Sequence, residues 1–295
     1  MKNLFTWFVK LILKYTVLLV FLSIITSVVF NMNSKQKLSN QSKIKVGVVD
    51  ISGVIMSSQE VVNNLIKFSQ DKSIKSIVVR VDSPGGAVAP SQEIANLIKE
   101  IDQTKKPVVV SMSSVAASGG LYVSLGARRI FAQSGTLTGS IGVIMQVPNF
   151  YDASKKLGIK METIKSGELK DSGNSFREMT QVDRNYLEQT SKTIHNIFID
   201  DVITLRNLDR SKVIKYMDGR IIIGKQALEL GIIDEIGGLI QAGRYSSLEA
   251  GFDLKDQFPK FVYIDDKIGN LKKILQGSAN IINNISSNFE KIKVN

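Results

Sequence analysis

Five segments between residues 44 and 112 alternate between strand and helix patterns, and this alternation constrains the fold more than any other feature. Residues 44–51, 76–81 and 108–112 are rich in β-branched side chains, which predicts strands buried on both faces. Residues 60–68 and 91–101 carry apolar side chains at helical spacing. Apolar strands joined by amphipathic helices indicate a parallel sheet with covering helices, so the predicted fold class is α/β.

Two loops at the carboxyl ends of these strands carry small and polar residues. One runs from Asp82 to Gly86, and the other carries Ser118 followed by Gly119 and Gly120. The small neighbours of Ser118 leave its hydroxyl uncovered, and residues 121–125 predict a helix directly behind it. The Ser118 turn would therefore lie near a helix N-terminus, where unpaired amides favour negative charge. Strand, turn and helix also occur in this order in many α/β proteins without any site.

The rest of the chain continues the mixed pattern. Strands are predicted at 129–132, 159–164 and 221–223, and helices at 151–157, 182–205, 225–230 and 239–248. A polar loop is predicted from 165 to 180.

An apolar segment near the N-terminus predicts a membrane anchor. Residues 15–30 are uncharged and almost wholly apolar, and no good small-residue cleavage site follows them. Lysines at 2, 10 and 14 predict a cytoplasmic N-terminus and the bulk of the chain on the periplasmic or extracytoplasmic side of a cytoplasmic membrane. We therefore predict a stub and transmembrane helix at 1–31 and a linker at 32–43.

The tail is predicted to form an amphipathic helix. The predicted tail spans 251–295, and from residue 268 onward apolar side chains recur at roughly helical spacing. Such a helix could pack on its own domain, on a neighbouring subunit or on a membrane surface, and the pattern leaves these alternatives open.

Composition narrows the chemistry. The chain has no cysteine and a single histidine, which excludes disulfides, thiolate zinc sites and multi-histidine metal sites. No other motif predicts a metal or a cofactor. His195 lies within the predicted long helix and is interpreted as a surface or semi-buried helix residue rather than a catalytic one. Of the net charge of +11, +7 belongs to residues 1–45, around the predicted anchor. No nucleic-acid motif accompanies it, so nucleic-acid binding is not predicted.

Several short motifs occur together in one order, and no single one of them is specific. They are Ser-Pro-Gly-Gly at 83–86, Ala-Ala-Ser-Gly-Gly at 116–120, Thr-Gly-Ser-Ile-Gly-Val at 138–143, Lys-Ser-Gly-Glu-Leu-Lys-Asp at 165–171, Phe-Arg-Glu-Met-Thr at 176–180, Asp-Gly-Arg at 218–220 and Ala-Leu-Glu-Leu-Gly-Ile-Ile-Asp at 227–234. This set resembles the bacterial signal peptide peptidase (protease IV) family in its short, single-domain form. The resemblance implies a Clp/crotonase-like fold of repeated β-β-α and βαβ units over residues 44–250.

The resemblance also implies roles for individual residues. Ser118 would be the nucleophile, Lys170 the general base of a Ser-Lys dyad, and Ser140 the residue that orients the lysine. The oxyanion hole would be formed by the amide of Gly119 and that of Gly85 or Gly86. Asp171 could help to position Lys170, although a role as a loop cap is the simpler interpretation for it and for Asp82.

The family further implies partners and substrates. Its short members form homo-oligomeric rings in which adjacent subunits share the dyad, and its substrates are hydrophobic remnants of cleaved signal peptides. Two alternatives remain open from the sequence, namely a crotonase-type acyl-CoA enzyme and an inactive, ring-forming membrane scaffold.

Overall fold

A computed structural model describes residues 44–255 and 257–264 of the 295-residue chain. The predicted anchor and linker, and the tail beyond residue 264, lie outside the described residues. Within the described ranges, no helix combines the length and the apolar character needed to cross a membrane. The anchor and the tail helix therefore stay predictions.

The elements follow the chain in this order. The described strands are β1 (Lys45–Ser52), β2 (Ile74–Ser83), β3 (Val108–Ala116), β4 (Arg129–Ala132), β5 (Leu137–Gly139), β6 (Ile221–Ile223), β7 (Glu235–Ile236) and β8 (Lys260–Tyr263). The described α-helices are α1 (Gln59–Gln70), α2 (Val88–Thr104), α3 (Gly119–Ser124), α4 (Tyr151–Lys156), α5 (Gln181–Arg206), α6 (Arg210–Val213), α7 (Gly224–Glu229) and α8 (Leu239–Glu249). Two 3-10 turns lie at Glu168–Asp171 and Ile214–Tyr216.

The parallel sheet predicted from the strand–helix alternation is confirmed. Its strands lie in the order β8, β1, β2, β3, β4, with β7 beside β4. In register, Val48 lies beside Val78, and Val78 lies beside Val109. Loops that follow β2 and β3 therefore emerge at the same edge of the sheet.

Helices cover both faces of the sheet because alternate side chains of each strand point to opposite sides. Val79 and Val110 belong to the large core that contains the buried side chains of α1, α2 and α3. Val78 and Val109 belong to a smaller core closed by Ala242 of α8. Strands buried on both faces must be apolar at consecutive positions, which explains the continuous β-branched runs in the sequence.

A small second sheet brings a further turn toward Ser118. β5 pairs antiparallel with β6, and Leu137 of β5 also lies beside Val115 at the end of β3. β5 ends at Gly139, so the following residue, Ser140, leaves the sheet next to the turn that follows β3.

The prediction of a strand at 159–164 is wrong. Residues 159–165 form no regular structure, and Ile159, Met161 and Ile164 are exposed by 52%, 57% and 101%. Their β-branched and apolar character favours an extended backbone, but a strand also needs a hydrogen-bonding neighbour. No strand of the described residues pairs with this segment.

Candidate active site

Ser118 lies on a strained turn between β3 and α3. Its backbone has φ 52° and ψ −119°, a conformation that residues with a side chain rarely adopt. Buried backbone hydrogen bonds impose it, because the amide of Ser118 donates to the carbonyl of Gly139 at 2.9 Å and that of Ala117 donates to Ser83 at 3.1 Å. A strained strand-to-helix turn is the geometry that exposes the nucleophilic serine of α/β hydrolases.

Close backbone packing explains the small residues around this turn. A Cβ atom on Gly119 would lie 2.6 Å from Ser91 Oγ, and one on Gly120 would lie 2.7 Å from the carbonyl oxygen of Ser83. A Cβ atom on Gly85, where φ is +106°, would lie 2.7 Å from the amide nitrogen of Gly119. The loop after β2 and the turn after β3 therefore meet at Ser118.

The three predicted oxyanion residues differ in what their amides contact. The amide of Gly85 donates to Ser83 Oγ at 3.1 Å. On the other side of the loop, Ile55 accepts from the amide of Ala87 at 2.7 Å and donates its own amide to the carbonyl of Gly85 at 2.9 Å. The amides of Gly86 and Gly119, in contrast to that of Gly85, donate a hydrogen bond to no acceptor among the described residues.

Ser118 and Ser140 line one cavity of about 460 Å³. Ser140 also has a positive φ, of 51°, and its amide donates to the carbonyl of Arg220 at 2.7 Å. Because the preceding residue, Gly139, accepts from the Ser118 amide, the backbones that carry the two serines are directly joined. The structure therefore brings together Ser118, Ser140, Gly86 and Gly119, which were predicted from separate motifs.

A smaller cavity of about 20 Å³ shares Ser118 and Gly86 with the first and has a mostly apolar lining. Tyr122 and Phe198 line it, with their ring centroids 4.8 Å apart. The Tyr122 hydroxyl donates to Asp201 and accepts from Gln92, and burial together with the Asp201 contact raises the pKa of Tyr122 to about 12. Tyr122 is therefore uncharged at neutral pH and keeps this end of the site apolar.

Lys170 lies elsewhere. It is exposed on the 3-10 turn Glu168–Asp171 and lines neither cavity that contains Ser118. Within the described part of one chain, the structure does not bring the predicted base to the predicted nucleophile.

Ion pairs hold the turn that carries Lys170. Asp171 accepts from Lys165 Nζ at 2.6 Å and from Arg177 Nε at 2.8 Å, and Arg177 also binds the buried Asp183. The Arg177 guanidinium is the main cause that holds the pKa of both carboxyls below their ordinary value. Asp171 is thus engaged with its own loop, and the turn that presents Lys170 is well defined although it is exposed.

The prediction that His195 is a surface or semi-buried residue of the long helix is confirmed for its semi-buried alternative, but its place at the Ser118 cavity was not predicted. This half-buried residue of α5 lines the larger cavity together with Ser118. Its helical neighbours at i+3, i+4 and i+7, Phe198, Ile199 and Val202, are all buried. That spacing was visible in the sequence and indicates that His195 faces inward.

Several known proteins are similar to this chain in sequence. The chain matches the family model described as “Peptidase family S49” over residues 100–252. It is 37% identical over 210 residues to “Putative protease slr0021” of Synechocystis sp., a match that covers 71% of this chain and 76% of that protein. It is 36% identical to “Putative signal peptide peptidase SppA” of Enterococcus faecium and 31% identical to “Protease 4” of Haemophilus influenzae. These two matches cover 61% and 67% of this chain, and 52% and 34% of the relatives.

Proposed function

Because the chain belongs to peptidase family S49 and is a serine peptidase, we propose that it is a membrane-anchored endopeptidase with a Ser118–Lys170 dyad. The observation that carries the proposal is the strained turn at Ser118, which has the unpaired amides of Gly86 and Gly119 beside it. The α/β sheet agrees with the Clp/crotonase-like arrangement that the motifs imply. The S49 match favours a peptidase over an acyl-CoA enzyme or an inactive scaffold.

The reaction follows the two-step course of covalent catalysis. Ser118 Oγ attacks the peptide carbonyl carbon, and its proton passes to the general base, which returns it to the leaving amine. The amides of Gly86 and Gly119 would bind the oxyanion, each contributing about 3 to 4 kcal/mol to transition-state stabilisation. Water then hydrolyses the acyl-enzyme by the same route. Ser140, in the same cavity as Ser118, would orient the lysine.

We propose that Lys170 reaches Ser118 from a second copy of the chain. Lysine acts as a base only where burial favours its neutral form, and Lys170 is exposed in its own chain. The surrounding segment also exposes apolar side chains to an extent that is unusual for a monomer. They are Ile144 at 83%, Phe150 at 50%, Leu157 at 74%, Ile159 at 52%, Met161 at 57% and Ile164 at 101%. A neighbouring subunit that covered this surface would bury Lys170 as well.

Hydrophobic peptides are the proposed substrates. Val143 and Phe198 beside Ser118 offer apolar contacts to a bound side chain. The predicted anchor at 1–31 would hold this site close to a membrane, where remnants of signal peptides are found. The name of the Enterococcus relative agrees with this substrate class.

The test uses the full-length chain in detergent and a fluorogenic hydrophobic peptide. Ser118→Ala and Lys170→Ala are each expected to lower activity by at least about 1,000-fold, because a dyad loses its function with either member. A mixture of the two inactive variants should recover part of the activity, since some sites would combine an intact Ser118 with a neighbour's Lys170.

Matched controls are Ser134→Ala and Lys192→Ala, which change exposed residues of the same types. Wild-type activity in Ser118→Ala or in Lys170→Ala would refute the dyad. Inactive single variants that stay inactive after confirmed exchange of subunits would refute the shared site and place the dyad within one chain.

A further inference from the structure

The only histidine of the chain joins two loops at the wall of the Ser118 cavity. His195 Nε2 lies 2.9 Å from the carbonyl oxygen of Ile141 and 2.8 Å from that of Met217. These carbonyls are 54 and 22 residues away in the sequence. Carbonyl oxygens only accept hydrogen bonds, so Nε2 must carry a proton and donate to both.

The two joined loops hold the residues that line the site. Ile141 directly follows Ser140, whose amide donates to the carbonyl of Arg220 in the second loop. The loops are also in close contact, because a Cβ atom on Gly142 would lie 3.0 Å from the Cα atom of Gly219. His195 therefore reinforces a contact that positions both Ser140 and the cavity wall beyond it.

In the described part of the chain, few other hydrogen bonds hold the cavity wall that follows Ile141. After Ile141, residues 142–150 form no helix or strand, although Gly142, Val143 and Ile144 all line the cavity. The carbonyl of Val143 accepts from Ser191 Oγ of α5 at a long 3.4 Å. Among the described residues, the hydrogen bond from His195 to the carbonyl of Ile141 is thus the short side-chain bond that connects α5 to the start of this wall.

We infer that His195 is a positioning residue of the peptidase site, which holds Ser140 and the wall at 142–144 against Ser118. The inference rests on the proposed function. The two carbonyl acceptors select a form of the His195 imidazole in which Nε2 carries a hydrogen. His195 is not the base for Ser118 through Nε2, because that atom is occupied by the two carbonyls.

Three substitutions of His195 in the full-length chain test the role. His195→Leu removes the donor and should lower kcat/KM and the rate of Ser118 labelling by an alkyl fluorophosphonate about 10- to 100-fold, since small misplacements of reacting groups have effects of this size. His195→Gln places an amide donor at a similar distance and should stay within about threefold of wild type. His195→Asn is one methylene shorter and should resemble His195→Leu.

The controls separate positioning from folding and from the proposed function. Asn196→Ala changes an exposed neighbour on α5 and should behave as wild type. Thermal unfolding of each variant shows whether it is folded, and the comparison of Gln with Asn stands even if the Leu variant does not fold. Equal labelling and cleavage rates in wild type, Gln and Asn variants would overturn the inference, as would equal losses in Gln and Asn. Wild-type protein that labels no faster than Ser118→Ala would instead refute the proposed function, and the inference with it.

Discussion

The turn that carries Ser118 and the turn that carries Lys170 are held in opposite ways. The first lies between β3 and α3 and is fixed by backbone hydrogen bonds to Ser83 and Gly139. The second is exposed and is held by side-chain ion pairs of Asp171 and Arg177. Backbone bonds in a buried sheet maintain the strained conformation of Ser118 without a partner chain, whereas the exposed turn defines its own shape but not its distance from Ser118. In the proposed function, the Ser118 turn is therefore complete within a single chain, whereas Lys170 reaches the site only when two chains assemble.

Among substitutions that test the packing around the first turn, Gly85→Ala should have the largest effect. The added Cβ would lie 2.7 to 3.0 Å from backbone atoms of Ala117 and Gly119, at a φ of +106°. We expect a loss of activity of about 100-fold or more, because the Gly119 amide must shift away from the oxyanion position. Peptide cleavage and thermal unfolding measure the outcome.

Gly53→Ala is the matched control for that change. Gly53 also has a positive φ, of +74°, but a Cβ there would meet nothing within 4 Å. It should cost only the conformational strain, about 1 kcal/mol, and leave kcat/KM unchanged. If both substitutions reduced activity equally, close packing at Ser118 would not be what sets the geometry of the oxyanion hole.

A smaller effect is expected at the apolar surface around the second turn. Ile164→Ser should dissociate the proposed assembly and lower activity about tenfold in dilute solution, since exposed apolar patches of this kind stabilise interfaces. The free energy of unfolding of the protomer should change by less than about 0.5 kcal/mol, because the side chain is fully exposed.

Sedimentation velocity and cleavage assays at several concentrations would measure both effects of Ile164→Ser. Leu248→Ser, at another exposed apolar residue, serves as the control. A variant with unchanged association and activity would show that the segment around Ile164 is not an interface between copies.

The smallest effect is expected on the pH dependence of stability, and it comes from the ion pairs that Arg177 makes with Asp171 and Asp183. Arg177 holds the pKa of Asp171 and Asp183 below their ordinary value of 3.8, so the unfolded chain binds protons on them at higher pH than the folded chain does. The pairs therefore contribute stability that is present above the ordinary carboxyl range and is lost as pH falls below it. Arg177→Gln should flatten the decrease in melting temperature between about pH 5 and pH 3.

Arg210→Gln is the control for Arg177→Gln because its pair with Asp200 is more exposed on both sides. It should follow the wild-type curve. An Arg177→Gln curve parallel to that of wild type would contradict the assignment of this stability to Asp171 and Asp183.

Sequence patterns predicted the framework better than the connections between its parts. The bounds of β4 and β6 agree with the predicted 129–132 and 221–223, and α5 differs from its predicted range by one residue at each end. In β4 and along one face of α5, the apolar side chains that led to these predictions are buried within the protomer. The segment at 159–164 has the same apolar character but no partner strand in the described chain, so its composition led to a wrong prediction. β8 was not predicted, because four half-exposed residues carry no clear period.

The sequence by itself determined the α/β sheet, the small-residue turn at Ser118 and the ordered motifs that indicate the family. These features depend on residue types close together in the chain. Only the tertiary structure decided that the amide of Gly85 is occupied while those of Gly86 and Gly119 have no acceptor in the described part of the chain. It also decided that His195 joins Ile141 to Met217 and that Lys170 lies outside the Ser118 cavity. The reason is physical, since hydrogen bonds and close contacts between distant segments depend on how the elements pack, and local residue patterns do not encode that packing.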